Sequence, residues 1–90
     1  MKLATLKNGT RDGQLVVVSK DLQSAVAVTH IAPTMQAALD NWDTVSMHLQ
    51  ATYHALNIGQ LDDVMAFDAS QCESPLPRAY QWADGSAYVN

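Results

Sequence analysis

The spacing of apolar residues changes at Pro33, and this change constrains the fold more strongly than any other feature of the sequence. Ahead of Pro33, three short segments have strand-like composition, with alternating or β-branched apolar residues: residues 2–7, 14–19 and 24–29. Both patterns favour strands. The turn segment NGTRDG at residues 8–13 and a polar break at residues 20–23 join the three segments. Because such short links favour antiparallel pairing, this part of the chain predicts a β-meander.

After Pro33 the apolar residues recur at helical spacing, which predicts two helices. The first is expected over residues 34–42, with Thr34 as its N-cap. Its apolar face consists of Met35, Ala38, Leu39 and Trp42. The second is expected over residues 44–57, with Asp43 or Thr44 as its cap. Its apolar stripe consists of Val45, Leu49, Tyr53 and Leu56. Gly59 predicts the end of this helix, because glycine adopts the left-handed cap at little cost.

The pattern weakens after Gly59. One short strand is expected around Val64–Phe67, followed by a loop and an extended C-terminal tail. The fold class predicted is therefore α+β: a small antiparallel β-meander, a two-helix segment and an extended tail. The tail is aromatic, with Tyr80, Trp82 and Tyr88, and the chain looks interrupted there. We expect Trp42 to be mostly buried against the meander and Trp82 to be exposed.

Composition bounds the class of protein. Ninety residues with 48% hydrophobic content fit one small globular domain. Only 16% are charged, which suggests surface that another molecule covers. Residues 1–20 carry a net charge of +3 and residues 21–90 a net charge of −7, so no basic stripe predicts nucleic-acid binding. There is no 18-residue apolar run and no signal peptide, which predicts no membrane span and a cytoplasmic location.

Few residues indicate chemistry on their own. Cys72 is the single cysteine, so an internal disulfide and a Cys-based zinc cage are excluded, and we interpret it as an inert thiol. His48 and His54 are six residues apart, about 240° around a helix, which does not make a metal pair. We interpret these two and His30 as surface or junction histidines. The acid pairs Asp40 with Asp43 and Asp62 with Asp63 lack the alternating oxygen donors of a calcium loop and are interpreted as solvated patches. These residues do not predict a self-contained active site.

Three stretches together carry a resemblance to a known family. They are MKLATLKNGTRDGQLVVVS at the start, IAPTMQAALDNW in the middle and PLPRAYQWADGSAYVN at the end. The chain resembles the N-terminal part of bacterial fumarylacetoacetate hydrolase family proteins, and the resemblance covers essentially all 90 residues. It implies an N-terminal accessory domain over residues 1–75. Residues 76–90 would then be the linker and the truncated start of the catalytic domain.

The resemblance also implies an activity for a longer parent protein. That family cleaves carbon–carbon bonds in β-diketo acids and uses a divalent metal, Mg²⁺ or Ca²⁺, held by carboxylates in a large C-terminal domain. Asp84 matches the family's first metal-binding aspartate, while the catalytic histidine would fall just beyond Asn90. Ser86 departs from the family, in which some members have an aromatic residue that meets the substrate. The 90-residue chain itself is therefore expected to be no enzyme, with no catalytic residue and no cofactor of its own.

Two roles remain open for such a chain. It is either a non-catalytic N-terminal domain, with the parent's catalytic domain as its partner, or a stand-alone interaction or oligomerisation module that reuses this domain. In the second case a homodimer through the apolar stripe of the longer helix is one possibility. A homo-oligomer is expected in both cases, because lone monomers would leave apolar surface in water. An independent small enzyme is the least favoured hypothesis.

Overall fold

One antiparallel sheet forms the centre of the computed structural model, which describes residues 1–73 and 78–79. Its five strands are β1 (Lys2–Leu6), β2 (Gln14–Val18), β3 (Ser24–Ala27), β4 (Met65–Ala66) and β5 (Arg78–Ala79). They lie in the order β4-β3-β2-β1-β5. The three central strands are the predicted meander, and β4 lies inside the short strand expected around Val64–Phe67. β5 belongs to the segment for which only extended chain was predicted, and it pairs with the outer edge of β1.

The register of the meander separates its side chains into two apolar sets. Val17 lies opposite both Leu3 and Val26, and these three belong to the cluster on the helix side. Val18 lies opposite Ala25, and both belong to a smaller cluster on the other side of the sheet. Residues opposite each other in a sheet share a face, so β2 is buried on both faces. This explains its continuous apolar run, a pattern typical of strands that are covered on both sides.

Two helices follow the meander, α1 (Met35–Asp40) and α2 (Trp42–Asn57). The Thr34 cap is confirmed, since its Oγ1 accepts the N–H of Ala37 at 3.0 Å. The predicted cap of α2 at Asp43 or Thr44 is wrong, because the only non-helical residue between the helices is Asn41. The Asn41 carbonyl already accepts the N–H of Val45 at 3.0 Å. The second helix therefore begins at Trp42, two residues before the predicted start.

Gly59 ends α2 as predicted. Its N–H donates to the carbonyl of Leu56 at 3.2 Å, and the N–H of Gln60 donates to the carbonyl of Ala55 at 2.9 Å. Gly59 has a φ of 75°, so this is the two-bond cap in which glycine takes the left-handed conformation. The same helix end is fixed to the β2–β3 turn, because Asn57 Oδ1 accepts the N–H of Lys20 at 2.8 Å.

The larger core cluster lies between the sheet and the helices. Most of the predicted stripe of α2 is confirmed there: Val45, Leu49 and Leu56 are buried, and Tyr53 is partly buried against them. The predicted face of α1 is partly wrong, because Leu39 is 41% exposed whereas Ala38 is fully buried. Helical geometry stops at Asn41 (φ −125°, ψ 33°). The spacing that aligned Leu39 with Trp42 therefore does not continue from α1 into α2.

Trp42 is only partly buried and packs against the same cluster, so the prediction that it is mostly buried is only partly met. Trp82 lies outside the described residues. The helix-side cluster also takes in Ile31, Met35 and Leu61 as partly buried members. The core is therefore contributed by chain from both sides of Pro33, which is what a single small domain requires.

Gly13 fixes the turn between β1 and β2. Its φ is 67°, and a Cβ at this position would lie 2.5 Å from Thr5 Cγ2 and 2.7 Å from the Leu6 carbonyl oxygen. A side chain here would be strained in the left-handed region and would also collide with β1. Within the part of the chain that the structure describes, neither helix has the length and apolarity needed to cross a membrane.

Candidate functional site

A groove of about 490 Å³ opens where β3 ends. Its apolar wall is formed by Val26 and Leu61, and His30, Asp62 and Asp63 supply titratable side chains. From the sequence alone, His30 and the acid pair Asp62 and Asp63 were interpreted as unrelated surface residues. The structure brings all three to one groove, although more than thirty residues separate His30 from Asp62 in the chain.

The pairing of the sheet explains why the groove is there. β4 pairs with β3 only through Ser24 and Ala25, so the chain ahead of β4 separates from the β3 edge beyond Ala25. At the other end of β3, the carbonyl of Val28 accepts the N–H groups of Ile31 and Ala32 at 2.8 and 2.9 Å. This tight turn leaves His30 exposed at the rim of the groove.

The groups that line the groove are open to solvent. His30, Asp62 and Asp63 are all exposed, and the Thr52 hydroxyl already donates to the carbonyl of His48 at 2.9 Å. The groove can therefore offer hydrogen bonds and a solvated negative charge. Across residues 1–73 and 78–79, no three His, Cys, Asp or Glu side chains come together in a way that could hold a metal ion.

A second, smaller pocket of about 290 Å³ lies at the junction of the two helices. Asp40 and Asp43 both line it, together with Trp42. Asp40 Oδ1 accepts a hydrogen bond from Gln36 Nε2 at 2.8 Å, one turn earlier on α1. Asp43 lies in the first turn of α2, where a carboxylate interacts favourably with the helix dipole. Both carboxylates are exposed to solvent, and each has a local interaction within or at the end of a helix.

The predicted metal ligand, Asp84, lies outside the described residues, as does Ser86. The other histidines, His48 and His54, are exposed on α2. Neither lies in the groove beside His30.

Cys72 is buried against the second face of the sheet, within the cluster formed by Ala4, Val16 and Val18. Burial is the main cause that raises the pKa of its thiol, and the nearby Asp68 carboxylate adds to it. A raised pKa keeps the sulfur protonated at neutral pH, and the thiolate is the reactive form. This environment agrees with the interpretation of Cys72 as an inert thiol.

Two carboxylates are engaged in turns. The Ser19 hydroxyl and then the N–H of Gln23 donate to Asp21 and lower its pKa. Ser70 does the same for Asp68 through its hydroxyl and its N–H. Both acids are fully exposed, so water weakens these effects, and their hydrogen bonds define turn geometry.

Comparison with known families finds a match. The chain matches the fumarylacetoacetase N-terminal domain 2 family over residues 1–78. No curated protein shows a significant match to the chain. The family match contains the meander, both helices, β4 and the first residue of β5, and so covers nearly every described element. The chain therefore belongs to the fumarylacetoacetase N-terminal domain 2 family.

Proposed function

We propose that this chain acts as the non-catalytic N-terminal domain of a fumarylacetoacetate hydrolase-like enzyme. The other domain of that enzyme would cleave carbon–carbon bonds in β-diketo acids with a divalent metal, Mg²⁺ or Ca²⁺. The family match over residues 1–78 is the observation that carries the proposal. The catalytic domain of the parent is then the principal partner of this chain.

The sheet supports a mechanical role for the domain. β5 is held against β1 through the pairs Lys2 with Ala79 and Leu3 with Arg78. Asp84 lies five positions after Ala79 in the chain, and five residues of extended chain span at most about 18 Å. Pairing in the sheet would thus keep Asp84 within that distance of the β1 edge. In the proposed role, the small domain limits where the first metal ligand can lie.

The metal site itself is assigned to the parent's other domain. A hard divalent cation needs six or more oxygen ligands, and the described residues of this chain do not assemble such a set. Asp84 is the one ligand that this chain would contribute. No step of the hydrolysis is therefore assigned to the groove at His30 or to the pocket at the helix junction.

A paired experiment tests this function. Calcium is first titrated into the 90-residue chain by calorimetry, where we expect a dissociation constant weaker than about 1 mM. Asp84→Asn is then compared with the control Asp12→Asn in the product of the full reading frame, with hydrolysis of an acylpyruvate in Mg²⁺ as the readout. We expect a large loss of turnover and of metal affinity for Asp84→Asn and none for the control. Hydrolysis by the 90-residue chain alone, or equal turnover of the two variants, would overturn the proposal.

The alternative role, a stand-alone interaction module, is favoured by one observation. The outer face of α2 exposes Met47 and Ile58, and exposed apolar patches are typical of interaction sites. The reading frame beyond Asn90 separates the two roles. A continuation into a catalytic domain supports the accessory role, and a stop codon directly after Asn90 supports the stand-alone module.

A further inference from the structure

Leu22, in the turn between β2 and β3, has a strained backbone and an exposed side chain. Its φ is 62°, and among the described residues other than glycine it alone lies in the left-handed region. Hairpin turns with a left-handed residue usually have glycine or asparagine there, because a larger side chain strains the backbone. The side chain is 44% exposed and belongs to neither core cluster. Neither the turn nor the core therefore explains a leucine here, and such strain is concentrated at functional sites.

The end of α2 lies beside this turn. Asn57 Oδ1 accepts the N–H of Lys20 at 2.8 Å, and Ile58, the next residue after Asn57, is 52% exposed. The side chain of Lys2 also reaches the turn, since its Nζ donates to the carbonyl of Lys20 at 3.2 Å. These bonds bring two apolar side chains and two cations to one end of the sheet. We call the surface that they form the exit face: Lys2, Lys20, Leu22 and Ile58.

The chain leaves the sheet at the same end. β5 runs antiparallel to β1, with Arg78 opposite Leu3 and Ala79 opposite Lys2. The chain after Ala79 therefore starts from the end of the sheet at which β1 begins. β2 also reaches its turn there, since Val18 lies opposite Lys2. Neighbouring strands are about 4.8 Å apart, so Ala79 lies about 10 Å from Val18. A domain that continues the chain would begin beside the exit face.

The small size of the exit face favours an occupant that is covalently attached. Two apolar side chains offer much less contact than the about 800 Å² per partner of a standard interface between free proteins. A short linker supplies an effective concentration in the millimolar range, so a contact too weak to hold a free molecule can hold a neighbouring domain. The acid in the turn, Asp21, already accepts hydrogen bonds from Ser19 and Gln23. The face therefore fits apolar surface that is rimmed by carboxylates.

We propose that the exit face binds the catalytic domain that follows this one in the parent protein, with Leu22 as the apolar anchor. Ile58 widens the contact, and Lys2 and Lys20 pair with carboxylates of that domain. Burial of the leucine in the bound state offsets the backbone strain that it causes in the free one. This inference rests on the proposed function, because it takes the following domain as given. It adds the surface through which the two domains meet.

Amide hydrogen exchange tests the contact by comparing the 90-residue chain with the product of the full reading frame. The probes are the N–H groups of Leu22 and Ile58. Both donate hydrogen bonds within the domain, to the carbonyls of Ser19 and His54. We expect at least tenfold slower exchange of both probes in the full product, because a bound domain suppresses local opening. The N–H of Asn41, at the other end of α2, is the reference and should exchange at the same rate in both proteins.

A pair of variants separates binding from folding. Leu22→Asn removes the anchor and introduces a residue that tolerates the left-handed region. The control Leu39→Gln removes a leucine of similar exposure, 41% against 44%, from α1. In the 90-residue chain we expect Leu22→Asn to leave the midpoint of urea unfolding unchanged or to raise it. In the full product, Leu22→Asn should return the exchange of Ile58 to its rate in the 90-residue chain, whereas Leu39→Gln should preserve the slow rate.

Three outcomes would overturn this inference alone. The first is equal exchange of Ile58 in the two proteins, and the second is an equal loss of protection in the two variants. The third is a clear fall in the urea midpoint of the 90-residue chain with Leu22→Asn, because the leucine would then serve the fold. Each leaves the accessory role standing if Asp84→Asn still loses turnover in the full product. A stop codon directly after Asn90 would overturn both proposals.

Discussion

The two sides of α2 carry apolar residues at the same helical spacing, but the sheet covers only one of them. On the inner side Leu49 is fully buried, whereas on the outer side Met47 is 66% exposed. Both stripes have a single period and similar composition, so periodicity alone does not identify the core. The difference is made by the sheet, because Val45, Leu49 and Leu56 face it and join the core cluster. Substitutions on each side should show how much of the stability of the domain depends on the inner side.

The largest difference is expected at Leu49. Leu49→Ala removes a fully buried side chain and leaves a cavity, which should lower the free energy of unfolding by about 2–5 kcal/mol. The measurement is urea denaturation at low micromolar concentration. A loss below about 1 kcal/mol would show that the inner side is loosely packed.

A smaller effect is expected from a polar group on the inner side. Val45→Thr keeps the branched shape but buries a hydroxyl, which should cost about 1–2 kcal/mol of unfolding free energy. The matched change on the exposed side is Thr44→Val, one residue earlier, for which we expect a change within about 0.5 kcal/mol. Thermal unfolding of the two variants measures the contrast. Equal shifts in Tm would contradict the assignment of inner and outer sides.

Gly59 ends the helix that carries both stripes, so a substitution there should destabilise the inner and outer sides of α2 alike. Gly59→Ala forces alanine into the left-handed region at φ 75°, with no other atom within 4 Å of the new Cβ. The cost should be that of the backbone alone, about 1 kcal/mol. Hydrogen exchange of the last turn of α2 should accelerate together with this loss. If stability is unchanged, the left-handed cap does not hold the helix end.

The smallest effect on folding is expected at Met47. Met47→Gln keeps a long unbranched side chain on the exposed side and should change the free energy of unfolding by less than about 0.5 kcal/mol. Urea denaturation of this variant and of the unaltered chain measures the difference. A large loss of stability would place Met47 in the core.

Local signals in the sequence predicted most of the fold. The turn glycines, the β-branched runs and the Thr34 cap act over a few residues, and the positions of the central strands and both helices follow from them. The errors occur where tertiary contacts decide. The two helices are separated at Asn41 although its side chain makes no cap hydrogen bond to α2, and Leu39 is exposed whereas its neighbour Ala38 packs in the core.

The groove was harder to predict for the same reason. His30 and the acid pair Asp62 and Asp63 meet only because β4 stops pairing with β3 after Ala25. The length of a two-residue edge strand depends on packing across the sheet, and no local motif encodes it. β5 is a similar case, since the extended conformation of Arg78–Ala79 follows from sequence but its pairing with β1 does not.

The pairing of β5 with β1 has a consequence for the order of folding. The central strands are joined by short turns, so their contacts close small loops and can form early in folding. The pair Lys2 with Ala79 instead closes a loop of almost the whole chain, and the entropy cost of closure grows with loop length. β5 should therefore dock last during folding and detach first in local unfolding. Between the sheet and Asp84, this two-residue strand would therefore be the first element to detach, while the meander stays intact.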